Sequence, residues 1–323
     1  MEDRAPVVFE VADGVTAIDT FMGGRARYTA AYLLAASEPT LVETGPGTSV
    51  EPVTDALHHL GMDGAALAHV VVTHIHLDHA GGVGALSERF PRATIWVHER
   101  GARHLADPTR LVASATRVWG EREMAELFLP VQPVAEVRLR SLGDGDTIRM
   151  GDRELAVLDT PGHASHHLAL VDSRTGVVFT GDALGIHVPD LPVLRPATPP
   201  PDFDLERYVA SIERIRGAAR SALLFAHFGP LPDVDATCDL AIRRVRAWAQ
   251  VVEEGLRETE DPEELSARLE ATALHDIETG AEATIDLEML EDRLRLLSSI
   301  RMNAMGLAGY WRRRREREGE PVS

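Results

Sequence analysis

The chain of 323 residues has no lysine, and all 33 of its basic residues are arginine. Schiff-base catalysis and a Walker-type phosphate loop both need a lysine amine and are excluded. Cysteine is nearly absent. With Cys238 alone, the chain can build neither an intrachain disulfide nor a cysteine-rich zinc knuckle or iron–sulfur cluster. Aromatic residues are scarce, at 5%, so aliphatic side chains must fill most of the core. No apolar run approaches the ~20 residues of a membrane span. Met1–Asp13 carries Glu2, Asp3 and Glu10 and lacks the apolar stretch of a secretory signal. A cytoplasmic protein with no membrane partner is the expectation. Positive charge is in deficit, 33 basic against 51 acidic residues, and the net charge is −18. Such a surface repels phosphate backbones, so no nucleic-acid partner is expected.

What is present is the composition of a soluble globular protein, 44% hydrophobic and 26% charged. Strands are predicted at Val7–Asp19, Thr29–Glu43, Leu67–Thr73 and Thr94–His98, rich in β-branched and apolar residues. Thr48 or Ser49 can cap a helix that runs to about Leu60. A second helix is predicted near Val83–Arg89, and residues 101–130 read as helical. Strands return at Val137–Leu139, Thr147–Met150, Glu154–Asp159, His167–Val171 and Val177–Thr180, separated by glycine turns. Six of the 19 prolines fall between Pro189 and Pro201, which predicts a stiff extended loop rather than a helix or strand. After a helix at Leu205–Arg216 and a strand at Leu223–Ala226, the pattern turns wholly helical: Ala236–Glu258, Pro262–Thr272 and Leu287–Arg317. The expected organisation is a mixed body over residues 1–232 and a helical region over 233–323.

The most informative segment is Thr73-His74-Ile75-His76-Leu77-Asp78-His79, directly after a buried strand. Imidazole and carboxylate suit zinc, iron and manganese. His74 and His76 alternate and can face one point; Asp78 and His79, after the chain turns, can face a second. Further candidate ligands stand where later strands become loops: His163, Asp182 and His227. Strand ends hold ligands rigidly.

This ordered set, His-x-His-x-Asp-His followed by a separate His, Asp and His, resembles the metallo-β-lactamase-fold hydrolase superfamily over roughly residues 7–230. The glyoxalase II-like branch is nearest in chemistry. The resemblance implies an α/β four-layer αββα sandwich, here with a helical C-terminal extension. It implies two divalent metal ions, zinc first and iron or manganese as alternatives. By the same resemblance His74, His76 and His163 bind one ion, Asp78, His79 and His227 bind the other, and Asp182 bridges them. Asp78 and Asp182 then carry catalytic roles, with a bridging hydroxide attacking the substrate. Glu43 stands where the family usually has Asp in support of the ligands, and His167 matches a buried hydrogen-bonding histidine. Ala183-Leu184-Gly185-Ile186 follows Asp182 without the tyrosine of acyl-homoserine lactonases.

Other residues leave alternatives open. Residues 101–135 can fold over the metals as a helical lid, with Trp119, Met124, Leu127 and Phe128 lining a pocket or merely packing the lid down. His187, Arg195 and Phe228 are candidate substrate contacts. Arg195 in an exposed salt bridge is the equal alternative, and His166 faces either the pocket or solvent. The stripe Leu290, Leu294, Leu297, Met302, Met305 and Leu307 predicts one buried helix face, against the chain's own body or in a homodimer. The Arg312–Arg315 run suits the negative end of that helix. The expected activity is hydrolysis of an ester or thioester of a small molecule. A phosphodiesterase, an iron-dependent redox enzyme and a non-catalytic ligand sensor are the alternatives.

Overall fold

The computed structural model describes residues 5–188, 193–278 and 294–319. The chain forms two compact units that interleave along the sequence. The first comprises residues up to Asp159, His166–Gly181 and Ala218–Pro232; the second comprises Thr160–Ser165, Asp182–Gly217 and Asp233 onward.

The first unit is built on two mixed sheets. One contains, in chain order, β1 (Val8–Ala12), β2 (Val15–Asp19), β3 (Ala30–Leu34), β4 (Thr40–Val42), β5 (His69–Val71), β6 (Thr94–His98) and β7 (Leu139–Leu142). The pairs from β1 to β4 are antiparallel and those from β4 to β7 parallel. Val7–Asp19, read as one strand, is a hairpin turned at Asp13-Gly14, where Gly14 takes φ +63°. Successive side chains of β5 and its extension alternate between two cores. Val70 and Val72 pack with Val53, Leu57, Val83, Leu86 and Leu105 of the covering helices. Val71 faces the inter-sheet core with Tyr32, Leu155, Leu170 and Phe179. The second sheet has the order β15 (Gly229–Leu231), β14 (Leu223–Phe225), β11 (Val178–Gly181), β10 (Leu168–Asp172), β9 (Glu154–Asp159) and β8 (Thr147–Arg149).

One buried ion pair fastens the edges of the two sheets. Arg153 Nε donates to Asp172 Oδ1 at 2.5 Å and its Nη2 to Oδ2 at 2.8 Å. Its Nη1 reaches the carbonyls of Gly14 at 3.0 Å and Ala35 at 3.2 Å, both in hairpin turns of the other sheet. A fully buried guanidinium persists only with such bidentate pairing and satisfied donors.

The predicted helix over 101–130 is three pieces, Glu99–Ala106, Thr109–Trp119 and Glu121–Phe128, the last ending in a π-helical turn. Pro108 and Gly120, at φ +86°, separate them. Val137 and Arg138 fall in a short 3-10 turn ahead of β7 rather than in a strand. Ser49 makes no side-chain cap to the Val50–His59 helix, and the Thr48 hydroxyl instead donates to the Leu127 carbonyl at 2.6 Å.

In the second unit, the proline-rich segment corrects the expectation of a loop. Within it Val193–Arg195 forms β13, which pairs antiparallel with β12 (Ile186–Val188) just ahead of the segment, with Ile186 opposite Arg195. Pro189 and Pro192 lie outside the described residues. Helices follow at Leu205–Ala218, Val234–Gly255, Pro262–Glu278 and Ile300–Glu318. The last begins at a Ser299 cap, where Met302 N–H donates to Ser299 Oγ, so the described part of the predicted Leu287–Arg317 helix is broken. Leu287 and Leu290 lie outside the described residues. Of the predicted stripe, Leu294, Leu297 and Leu307 are buried, Met302 is half-buried and Met305 is exposed, and the small residues Ala304, Gly306 and Ala308 are buried as well. The small residues permit a close approach, since a Cβ on Gly306 would stand 1.8 Å from the Thr198 carbonyl oxygen. Thr198 N–H donates to Asn303 Oδ1 at 2.7 Å at the same crossing. Three of the four arginines in the run engage ion pairs or a carbonyl: Arg312 with Glu260, Arg313 with the Phe203 carbonyl and Arg314 with Glu206. Among the described residues no helix is long and apolar enough to cross a membrane.

Candidate metal centre

β5 ends at Val71, and the chain then runs through Thr73–His76 into a single helical turn, Leu77–Ala80. The extended part sets His74 and His76 beside each other, with His74 Nε2 and His76 Nδ1 3.1 Å apart. The helical turn swings Asp78 and His79 to a second corner. There Asp78 Oδ2 lies 3.5 Å from His79 Nε2 and 3.4 Å from His227 Nε2. His227 arrives from the loop after β14, which pairs parallel to β11. In the first unit the structure thus brings together five of the seven predicted ligands. In the second unit it sets His163 Nε2 3.5 Å from Asp182 Oδ2.

In four of the rings the other nitrogen has a fixed partner, and these partners decide the tautomers. His227 Nδ1–H donates to the Tyr28 carbonyl at 3.1 Å, and His163 Nδ1–H to the Ala197 carbonyl at 3.0 Å. His79 Nδ1–H donates to Glu43 Oε1 at 3.3 Å. The Thr73 hydroxyl donates to the same carboxylate oxygen, so Thr73 Oγ1 accepts from His74 Nδ1–H at 3.0 Å. Carbonyls and carboxylates only accept, so in the neutral rings Nε2 of His74, His79, His163 and His227 presents a lone pair. Lone pairs converging on carboxylate oxygens repel one another unless a cation lies among them. The donor set therefore fits a bound metal, each imidazole oriented by a hydrogen bond on its far side. Asp78, His79 and His227 offer one such group of converging ligand atoms.

Burial alone would raise the Asp78 carboxyl; without a metal, His79 and His227 take a second proton at Nε2 instead of presenting a lone pair, and the charge of His79 and the hydrogen bonds from His227 and His79 hold the carboxyl well below the usual carboxylate range. A metal cation replacing those protons acts in the same direction. Asp78 is also where solvent reaches the centre: its side chain is 25% exposed, against 1% for His79 and His227.

Each unit requires a glycine beside its candidate ligands. Gly181, at φ +49°, ends β11 where a Cβ would stand 2.5 Å from His167 Nε2 and 2.6 Å from Thr73 Oγ1. Gly162, at φ +133°, precedes His163, and a Cβ there would stand 2.3 Å from the Tyr208 backbone nitrogen. His167 is buried with its ring 4.9 Å from that of His74. His166 turns toward the same rings, 6.2 Å from His74 and 5.7 Å from His76.

Thr73, Tyr28 and Tyr208 were not picked out by sequence reasoning. Tyr208 donates its hydroxyl to the Asp182 carbonyl at 3.2 Å; burial, then the Asp182 charge, push its phenol far up and keep it protonated. Thr73 could have been found as the residue preceding the motif, but Tyr28 and Tyr208 act through backbone contacts that leave no spacing signal. Among the candidate substrate contacts, Phe228 is buried beside His227, and Trp119 packs its ring 5.3 Å from Phe128. Met124, Leu127 and Phe128 are themselves buried. In the second unit His187 is half-buried on β12, and Arg195 is buried on β13 rather than exposed.

Comparison with known proteins identifies the family. A profile of the Metallo-beta-lactamase superfamily matches residues 24–227. Uncharacterized protein YobT of Bacillus subtilis is 27% identical over 203 residues, 59% of this chain and 78% of that protein. A hydroxyacylglutathione hydrolase of Rhodopseudomonas palustris is 30% identical over 143 residues, 44% of each chain. The acyl-coenzyme A thioesterase MBLAC2 of Gallus gallus is 30% identical over 168 residues, 47% of this chain and 56% of that protein. The chain thus spans about half the length of these two enzymes. Among solved structures, an archaeal metallo-beta-lactamase superfamily protein from Sulfolobus tokodaii superposes with a TM-score of 0.63 at 19% identity, covering 87% of this chain and 93% of that one. The matched span holds His74, His76, Asp78 and His79, and it ends on His227; the chain belongs to the metallo-beta-lactamase superfamily.

Proposed function

We propose that this chain is a metal-dependent hydrolase that holds two divalent cations, zinc in the first instance, and cleaves an ester or thioester bond of a small molecule. The observation that carries the reading is the division of one short motif between two corners, His74 with His76 and Asp78 with His79 and His227. His163 and Asp182, 3.5 Å apart in the second unit, supply the remaining imidazole and the bridging carboxylate by the family pattern. The relatives named hydroxyacylglutathione hydrolase and acyl-coenzyme A thioesterase support a thioester as the bond cleaved.

Two bound cations supply a hydroxide near neutral pH and polarise the substrate carbonyl. The protein's part is orientation and charge. Asp78 accepts a hydrogen bond from the attacking water at the solvent-reached side of the centre. His79 and His227 hold their lone pairs inward through Glu43 and Tyr28. An alkoxide or thiolate leaves without a strong general acid.

The test is metal analysis of protein purified without added metal, joined to a substrate panel on the same sample. About two ions per chain and turnover of thioesters or esters are expected. Iron with oxygen or persulfide consumption would replace the reading with redox chemistry. Turnover confined to bis-p-nitrophenyl phosphate would make the enzyme a phosphodiesterase, and no turnover at full metal loading would point to a ligand sensor.

A further inference from the structure

Two backbone outliers meet beside His227. Arg27 takes φ +63° and Phe228 φ +98°, a region that residues with a Cβ seldom occupy and that clusters at functional sites. Both are held there. Asp19 Oδ2 accepts from Arg27 N–H at 2.8 Å and Asp19 Oδ1 from Phe21 N–H at 3.0 Å, which fastens the loop between β2 and β3 at both ends. The next residue, Tyr28, gives its carbonyl to His227 Nδ1–H. Arg27 and Phe228 are therefore the chain neighbours of the two ends of the bond that orients His227. Their side chains meet as well: the Arg27 guanidinium carbon stands 5.8 Å from the centre of the Phe228 ring. Phe9 packs against Phe228 at 6.0 Å. Phe228 is buried and Arg27 half-buried.

A guanidinium over an aromatic face is positioned by the ring and donates along its planar edge, a fork that matches a carboxylate. One guanidinium also balances one carboxylate in charge, whereas a phosphate monoester brings nearly two negative charges. On a chain of net charge −18, an anionic substrate needs a local cation to approach. We propose that Arg27, seated on Phe228, recognises a carboxylate of the substrate, and that the scissile group then lies at the corner formed by Asp78, His79 and His227. This rests on the hydrolase reading above, and it narrows the substrate class to carboxylate-bearing esters or thioesters.

The test uses two matched probes on metal-loaded full-length protein: the acetyl thioesters of 3-mercaptopropionate and of its methyl ester. The variants are Arg27→Asn, which tolerates the left-handed backbone, and Arg27→Lys. The wild type is expected to prefer the acid in kcat/KM. In Arg27→Asn the ratio of acid to ester should drop about tenfold, mainly through KM, and Arg27→Lys should restore part of it. Calorimetric binding of the two free thiols, which needs no turnover, should show the same Arg27-dependent preference. Equal losses on both probes, or a wild type that binds the acid no better than the ester, would overturn the proposal. Failure of hydrolysis with the binding preference intact would instead count against the thioester reading and leave Arg27 as an anion-binding residue.

Discussion

Glu43 Oε1 accepts from His79 Nδ1–H at 3.3 Å while the same carboxylate takes the Thr73 hydroxyl, which in turn accepts from His74 Nδ1–H. One buried carboxylate thereby orients a ligand in each of the two corners. Glu43 does this from a left-handed backbone, φ +65°. Removing its charge as Glu43→Gln should weaken metal binding about 10- to 100-fold. Competition with a chromophoric chelator measures this, and an unchanged affinity would show that the carboxylate only fills space.

The ligands themselves should be less forgiving. Asp182→Ala and His227→Ala are each expected to lower metal content and to abolish hydrolysis. Asp182 should be the more harmful if, as proposed, its carboxylate bridges both ions. Metal analysis beside a thioester assay decides it, and full activity of metal-free protein would sink the mechanism.

Phe128 is buried at the end of the 101–135 segment, and its neighbour Leu127 is tied by its carbonyl to Thr48. Truncation as Phe128→Ala should cost about 3–5 kcal/mol of stability by transfer and cavity terms. Trp119, half-buried on the ring of Phe128, should affect substrate preference more than melting temperature when changed to Ala. Calorimetric melts and the substrate panel together separate packing from a lid role.

Gly306→Ala in the C-terminal helix would drive a methyl into the Thr198 carbonyl. A loss of about 1–3 kcal/mol or more is expected, with a lower melting temperature. Truncation after Gly280 should expose the apolar face and promote aggregation. A truncated protein with an unchanged melt and oligomeric state would show that the helix is an independent appendage.

Acid stability carries a signature at Asp152. The Ser37 backbone N–H, then the Ser37 hydroxyl, hold its carboxyl down to about 2. A folded pKa below the unfolded value of ~3.9 stabilises the native state above that value, and the contribution is lost as pH falls toward 2. Acid-unfolding curves of wild type and Asp152→Asn should differ at pH 5 and converge near pH 2; parallel curves throughout would contradict the assignment.

Much of this was legible in the chain, for identifiable reasons. The His-x-His-x-Asp-His spacing survives folding because one strand end and one helical turn hold all four residues locally. Periodicity located most strands, but two hairpins were read as single strands because the Asp13-Gly14 and Ala35–Pro39 turns are short. Composition misread the proline-rich segment, since β13 pairs with β12 in a two-stranded sheet, where an edge strand tolerates a flanking proline such as Pro196. On the C-terminal helices the apolar spacing found Leu294, Leu297 and Leu307, which are buried, but missed the small residues beside them. Close helix crossings prefer small ones, and Ala304, Gly306 and Ala308 carry the contact. The partners of the ligand rings, Tyr28 and Ala197, act through main-chain carbonyls and are invisible to any reading of side-chain type.

The corner where His227 meets Asp78 and His79 also sets an order of events during synthesis. The imidazole cluster of the motif leaves the ribosome long before His227, which is delivered by β14 only once that strand pairs with β11. Chains emerge at about 5–20 residues per second and distant pairings form late. The nascent polypeptide therefore carries, for several seconds, a cluster able to take up stray cations with an incomplete set of ligands. The corner of Asp78, His79 and His227 is among the last parts of the first unit to be completed, and its assembly reports that β14 has joined the second sheet.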